Sequence, residues 1–499
     1  MSQIIIQNLS FTYEGDHTPV FQNLNLRLDT NWKLGLVGRN GRGKTTLLRL
    51  LAGELEGTGT ISCPEPMAYY PRPAADPERP ALPVLLEAAP ELEEWQLVRE
   101  LYRLGLDEEI LSRPFSSLSG GEQTRAQLAA LFGSEDCFPM LDEPTNHLDS
   151  RGREQVARYL RSLDRGFLLV SHDRAFLDGC VDHILALNRT GPEIMRGSFS
   201  TWLEEKEARD RGELARNEKL KGEIRRLEDA ARARKQKADA VERAKTGISS
   251  QGIVKHGLRP YLGEKSRKGQ QQRLNMERRA ERAIREKSAL LQDIETADSL
   301  KLFPARHYSR RLVEGKNLSI HYDGRTICKG IDLTVEQGER VCLEGGNGSG
   351  KTSLLRLILG EEGSYTGQLW RAPGLEISNV PQQADHLTGS PLDWAEEQEI
   401  DLTQFLTILR KLDFPRALFE RDMAGYSAGQ KKKVLLAASL CRSAHLYVWD
   451  EPLNYIDVLS RVQIEELLLS LRPTILFVEH DKTFCRHIAT KTIFLGGEL

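Results

Sequence analysis

Short runs of aliphatic and β-branched residues alternate with longer amphipathic stretches at both ends of the chain, and the middle follows a different rule. Lys33–Gly38 and Arg340–Gly345 are apolar runs of strand length, and each feeds a glycine-rich turn and then a helix-patterned apolar stretch. Buried strands alternating with helices in this way predict an α/β core. The pattern is written twice. IQNLSFTYEG is echoed by GKNLSIHYDG, LGLVGRNGRGKTTLLRLLAG by VCLEGGNGSGKTSLLRLILG, MLDEPTNHLD by VWDEPLNYID, and LLVSHD by LFVEHD. Ordered matches at a regular offset mark a duplicated domain. The halves are 1–198 and 301–499, with about 100 residues between them.

Over the intervening 199–300 the period is helical. Leu220, Ile224, Leu227 and Ala231, then Ala238 and Val241, form an a/d seam that Arg234 interrupts. Leu274, Ile284, Leu291 and Ile294 give a weaker second seam, and six residues (Gly247, Gly252, Gly257, Pro260, Gly263 and Gly269) break the pattern between the two. The expectation is a hairpin of two antiparallel helices with a tip loop at about 246–270. Residues 203–245 as one helix would span roughly 65 Å, more than a plain spacer between domains requires.

Charge sharpens the picture. The formal net charge is −3, yet residues 231–290 hold 17 Lys/Arg against 6 Asp/Glu, so a local +11 is offset by −14 elsewhere. Such asymmetry points to a polyanionic partner at the linker, the bland alternative being a solvated helix face. The seven cysteines show no paired spacing. Cys137 and Cys342 lie in apolar, strand-like runs and read as small core residues in a reducing cytosol. MSQIIIQNLSFTY lacks the basic segment and cleavage site of a signal peptide. No run approaches the roughly 18 apolar residues of a membrane span, which argues against a channel or complete transporter.

The chemistry sits in the repeated half. Gly38–Thr45 and Gly345–Thr352 both fit G-x-x-x-x-G-K-[ST]. In such loops Gly38, Gly41 and Gly43, and likewise Gly345, Gly348 and Gly350, let main-chain N–H groups wrap phosphates. Lys44 and Lys351 would reach the β/γ oxygens, and Thr45 and Thr352 would ligate Mg2+. Asn40, Thr46, Asn347 and Ser353 complete the two expected ATP-binding loops. Apolar strands then end in acid pairs, Asp142-Glu143 and Asp450-Glu451. The aspartates would hold Mg2+ and the glutamates would polarise the attacking water.

Leu118-Ser119-Gly120-Gly121-Glu122-Gln123, about 20 residues before the first acid pair, resembles the signature of the ATP-binding cassette (ABC) superfamily. That resemblance assigns Ser119, Gly120, Gly121 and Gln123 to ATP binding. The second copy, Ser427-Ala428-Gly429-Gln430, departs at Ala428. It keeps the hydroxyl and glycine that a γ-phosphate at a helix N-terminus needs, so Ser427, Gly429 and Gln430 carry the same expectation. His172 and His480 match the family's switch histidine. Tyr13 and Tyr322, 25 and 23 residues before their phosphate loops, match the adenine-stacking position, where tyrosine is equally at home in a core. Gln382, in NVPQQ, matches the metal-ligating glutamine. Its counterpart in YYPRP is Arg72, which cannot ligate Mg2+, so the first site is expected to bind metal differently or to hydrolyse more slowly. The resemblance implies head-to-tail pairing. Site one combines Gly38–Thr45, Glu143 and His172 with Ser427–Gln430. Site two combines Gly345–Thr352, Gln382, Glu451 and His480 with Ser119–Gln123.

Two complete cassettes with the hairpin between them, and no zinc or iron–sulfur cysteine pattern, are similar to the ABC-F family. NWKLGLVGRNGRGKTT, EPLNYIDV and YSAGQKKKV are similar to its antibiotic-resistance, Vga/Lsa-like branch. This implies two ABC-type P-loop nucleotide-binding domains joined by a long antiparallel helical hairpin, in a monomer that binds the ribosome at the tRNA exit site. Its partners would be large-subunit rRNA and P-site tRNA, with no membrane involved. Lys255, Arg259, Lys265, Arg267 and Lys268 would neutralise RNA phosphates, while His256 and Tyr261 would stack on bases. The group suggests protection against lincosamides, pleuromutilins and streptogramin A. A housekeeping ABC-F translation factor, and more distantly the ATP-binding subunit of a transporter, are the alternatives.

Overall fold

A computed structural model of the chain describes residues 2–15, 19–134, 137–146, 148–188, 191–247, 282, 300, 302–322, 325–346, 348–361 and 363–495. For Ala231, residues 234–247, Tyr322 and Arg325 it describes the main chain only.

The two halves repeat one architecture. In the first, Lys33–Val37 lies between Phe167–Val170 and His183–Asn188, with Phe138–Asp142 and Met67–Tyr70 outward on one side and Gly191–Arg196 on the other. All pairings are parallel except the last. Phe167–Val170 is buried at every position and Lys33–Val37 at all but its first. That is why they read as continuous apolar runs and not as alternating ones. The second half orders its five strands as Ile377–Val380, Leu446–Asp450, Ile475–Val478, Arg340–Glu344 and Lys491–Phe494, all parallel. A separate three-stranded antiparallel sheet accompanies each: Gln3–Phe11 between Phe21–Asp29 and Thr58–Ser62, and Arg311–Tyr322 between Arg325–Glu336 and Ser364–Arg371.

Helices Lys44–Leu51 and Lys351–Leu359 leave the central strands directly after the phosphate loops. Two matched 14-residue helices, Gly120–Gly133 and Ala428–Cys441, begin at the signatures, where Ser119 and Ser427 serve as N-caps in full capping boxes. Cys342 is fully buried in its strand, as its apolar context predicts, whereas Cys137 is only half-buried.

Chain contacts separate a unit of Met1–Trp202 with Ala297–Leu499 from a unit of Leu203–Thr296. The helix Phe199–Gly247 covers the stretch 203–245 expected to be helical. Few glycines and no proline interrupt it, and Lys206 pairs with Asp210 one turn on at 2.8 Å. Leu220, Ile224 and Leu227 are half-buried on one stripe between exposed neighbours, the pattern of a seam. The second seam, the tip loop, and Lys255, His256, Arg259, Tyr261, Lys265, Arg267 and Lys268 lie outside the described residues.

Candidate functional site

The phosphate loops are held by geometry that only glycine permits. Gly43 has φ 85°, and a Cβ there would lie 2.6 Å from the Val20 side chain and 2.7 Å from the Phe21 ring. Lys44 Nζ donates to the oxygens of Gly38 and Arg39 at 2.8 and 3.2 Å. Lys351 Nζ donates likewise to Gly345 and Gly346, both at 2.9 Å. Each ammonium is therefore fixed over its own loop, and burial lowers both below the ordinary lysine range.

The halves meet in crossed order. A cavity of about 330 Å³ is lined by Asn40, Gly41, Glu143 and His172 from the first half and by Ser427, Gly429 and Gln430 from the second. A larger one, about 560 Å³, is lined by Gly348, Gly350, Lys351, Thr352, Ser353, Gln382, Glu451 and His480 together with Gly120. Of the first signature only Gly120 is among the lining residues. Gln123 instead donates to the oxygens of Phe115 and Leu118 at 3.0 and 3.1 Å, and the Ser119 hydroxyl donates to Glu122. Tyr13 packs beside the first loop, its hydroxyl 3.0 Å from that of Thr46. Asn347 and the Tyr322 side chain lie outside what the structure describes.

Each acid pair is poised the same way. Thr45 hydrogen-bonds Asp142, and Thr352 hydrogen-bonds Asp450. Both glutamates take up left-handed backbone, φ 51° at Glu143 and 46° at Glu451, a strained choice for a residue with a Cβ and one that clusters at functional sites. His172 Nε2 lies 3.2 Å from Glu143, and His480 Nε2 lies 3.3 Å from Glu451.

The two sites then diverge. Burial, and next the charge of Asp142, push the Glu143 carboxyl up to about 8. Burial also works to raise Glu451, but hydrogen bonds from His480 and Gln382, together with the nearby charges of His480 and Lys432, outweigh it and bring that carboxyl down to about 2. Gln382 has no equivalent in site one. Arg72 turns away and donates to the oxygen of Ala88 at 2.6 Å, while Gln127 holds its carbonyl at 3.0 Å. Tyr69 is the side chain that meets the first acid pair from this segment, donating to Asp142 at 3.1 Å.

Residues not anticipated from the sequence complete the walls. Asn146 lines both cavities, Asn454 the larger and Tyr455 the smaller. Asn40 Nδ2 donates to the oxygen of Tyr455, and Arg153, facing site two, pairs with Asp173 at 3.0 Å. The echo of DEPTNHLD in DEPLNYID contains Asn146, Asn454 and Tyr455, but only the fold shows that they line the cavities where the halves meet.

Known proteins match this arrangement along nearly the whole chain. The ABC transporter family model fits residues 21–146 and again 328–454. The ribosome protection protein VmlR of Bacillus subtilis is 27% identical over 505 residues, covering 99% of this chain and 87% of VmlR. The ATP-binding protein Uup of Caulobacter vibrioides is 28% identical over 96% of this chain and 75% of its own length. The energy-dependent translational throttle protein EttA of Haemophilus influenzae is 24% identical over 96% and 89%. Among solved structures, the complex of archaeal ribosomal stalk protein aP1 with the ribosome recycling factor aABCE1 superposes with a TM-score of 0.63 at 20% identity, over 98% of this chain and 88% of that one. The RNase-L inhibitor gives 0.63 at 21%, over 99% and 88%. These two likenesses concern the fold alone.

Proposed function

The chain belongs to the ABC transporter family, in its ABC-F branch, as a ribosome-associated ATP hydrolase, and from that premise we propose that it protects the ribosome from drugs of the peptidyl-transferase centre. It binds at the tRNA exit site and relieves lincosamide, pleuromutilin and streptogramin A inhibition. The observation that carries this reading is similarity to a ribosome protection protein over 99% of the chain.

The geometry supplies a mechanism. Each cavity has a phosphate loop on one wall and a signature segment of the other half opposite. ATP spanning both walls favours the arrangement in which they meet, because a ligand shifts an equilibrium only by its differential affinity. The residues present fit Mg2+: Asp450 Oδ1 is buried without a hydrogen-bond partner among the described residues, and Thr352 and Thr45 sit at their aspartates. When bound, the ion neutralises phosphate charge. Glu143 and Glu451 orient the attacking water and take its proton, with His172 and His480 beside them. Loss of the γ-phosphate removes the bridge, the halves part, and the protein leaves the ribosome. At the linker, Lys255, Arg259, Lys265, Arg267 and Lys268 contact phosphates of rRNA and of P-site tRNA, and His256 and Tyr261 stack on bases.

Glu143→Gln combined with Glu451→Gln tests this directly. With ATP, the double variant pellets with 70S ribosomes through a sucrose cushion far more than wild type, and equal recovery rejects the cycle. Replacing 250–268 by a Gly/Ser loop keeps ATPase activity and abolishes drug tolerance; unaltered tolerance rejects the tip's role. The similarity to EttA and Uup supports a second reading, a translation factor without drug action. Inhibitory concentrations measured in a drug-sensitive host expressing the chain separate the two.

A further inference from the structure

Lys432 is almost fully buried, 2% exposed, on the helix Ala428–Cys441. Burying an ammonium is costly unless its donors are matched. Here all three are: Nζ donates to the main-chain oxygens of Pro381 at 2.8 Å, Gln382 at 3.2 Å and Asp450 at 3.1 Å. The first two belong to the segment that brings the Gln382 side chain onto Glu451. The third ends the strand Leu446–Asp450 immediately before Glu451. One cation therefore ties together the main chain on both sides of the Gln382–Glu451 contact.

The duplicated half provides an internal comparison. At the position of Lys432 in the signature helix it carries Thr124, which receives the Tyr70 hydroxyl at 3.2 Å. At the position of Gln382 it carries Arg72, turned onto Ala88. The lysine and the glutamine are absent from the first half together, so a neutral residue packs this place well enough when no glutamine has to be held. Packing alone does not explain the charge.

We propose that Lys432 is a positioning residue of site two, clamping the 381–382 main chain to the strand end at Asp450 and so holding Gln382 against Glu451. This rests on the reading of Glu451 as the group that activates water at site two. The arrangement predicts a fault confined to one site. The helix carrying Lys432 starts at Ser427, which faces site one. A substitution that merely disturbs the helix therefore damages site one as well, whereas loss of the clamp does not.

The test uses the full chain and steady-state phosphate release in two backgrounds. With Glu143→Gln, site two reports; with Glu451→Gln, site one reports. Lys432→Met and Lys432→Thr, the latter copying Thr124, are each expected to lower kcat in the Glu143→Gln background by ~10–100-fold, as removal of a supporting shell commonly does. KM for ATP should move less than about threefold, and both kinetic constants in the Glu451→Gln background should stay within about twofold. Equal losses in both backgrounds, or a kcat unchanged in the first, overturn the proposal. If Glu451→Gln fails to reduce turnover in the Glu143→Gln protein, the underlying assignment of Glu451 is wrong whatever Lys432 does.

Discussion

The side-chain amide of Asn40, in the first phosphate loop, donates to the main-chain oxygen of Tyr455 at 3.0 Å across 415 residues of sequence. Gly429, in the second signature, closes the same corner. A Cβ built on it would lie 2.6 Å from the Tyr455 oxygen and 3.5 Å from Asn40 Nδ2. Contact of the first loop with the second half therefore depends on a residue with no side chain.

Gly429→Ala forces either the Tyr455 main chain or the signature to move, because the clash is with backbone and not with the end of a flexible side chain. Site one should lose at least about tenfold in turnover, ~1.4 kcal/mol of barrier, when phosphate release is measured in the Glu451→Gln protein. Full activity there would show that the corner does not matter.

Unequal sites make a second expectation. Glu451 is held ionised by Gln382 and His480, whereas Glu143 lacks a glutamine and burial pushes it up to about 8. A carboxylate that is already ionised is the better proton acceptor at neutral pH. Glu451→Gln alone should therefore remove most steady-state ATPase activity and Glu143→Gln the smaller part. The reverse order, measured by phosphate release at pH 7, would contradict the assignment of the faster site.

Much of this was legible in the residues themselves. Lys44, Lys351, Asp142 and Asp450 sit in short motifs whose chemistry depends on local backbone, so spacing alone placed them. Arg72 was legible as a departure, and the structure adds where it goes. Lys432, and the contacts that Asn40 and Gly429 make with Tyr455, were opaque for a common reason. Their partners are remote in sequence, and a buried lysine in KKK reads as a solvated charge until the helix face it occupies is known. At Gln123, a position expected to bind ATP, the side chain donates to the oxygens of Phe115 and Leu118.

Asp457 and Lys433 form an ion pair at 3.2 Å with side chains 0% and 3% exposed. Asp457 also caps the helix Val458–Leu471 by accepting from Ser460 N at 2.9 Å. Burial opposes the charge, but Lys433 outweighs it and holds the carboxyl far below the ordinary aspartate range. A depressed folded value means that the pair's contribution is complete above the unfolded pKa of ~3.9 and fades as pH falls below it toward the folded value. Asp457→Asn leaves the ammonium buried without its counter-ion. It should cost roughly 3–5 kcal/mol, seen as a lower melting midpoint at pH 7, with the gap to wild type narrowing in acid. A midpoint equal to wild type at pH 7 would rule the pair out as a stabilising element.

Beyond each switch histidine, a cation two residues on reaches the opposite half. Arg174 lies 2.7 Å from Glu465, both nearly buried, and Lys482 pairs with Glu154 in the open. The two cations are related by the duplication, but their partners are not and their surroundings differ, so the contacts should differ in weight. An exposed pair contributes ~0–1 kcal/mol, and Glu154→Gln should leave the melting midpoint and ATPase activity nearly unchanged. Glu465→Met strands a guanidinium whose Nη2 has no further hydrogen-bond partner among the described residues, and should destabilise by roughly 3–5 kcal/mol. Adding Arg174→Met removes the stranded charge and should restore most of the loss, because replacing both partners of a buried pair with apolar groups is often neutral. The double-mutant cycle separates this from simple packing damage. A double variant as unstable as the sum of its singles would mean that the two residues act independently, and that the halves do not rely on this pair to stay together.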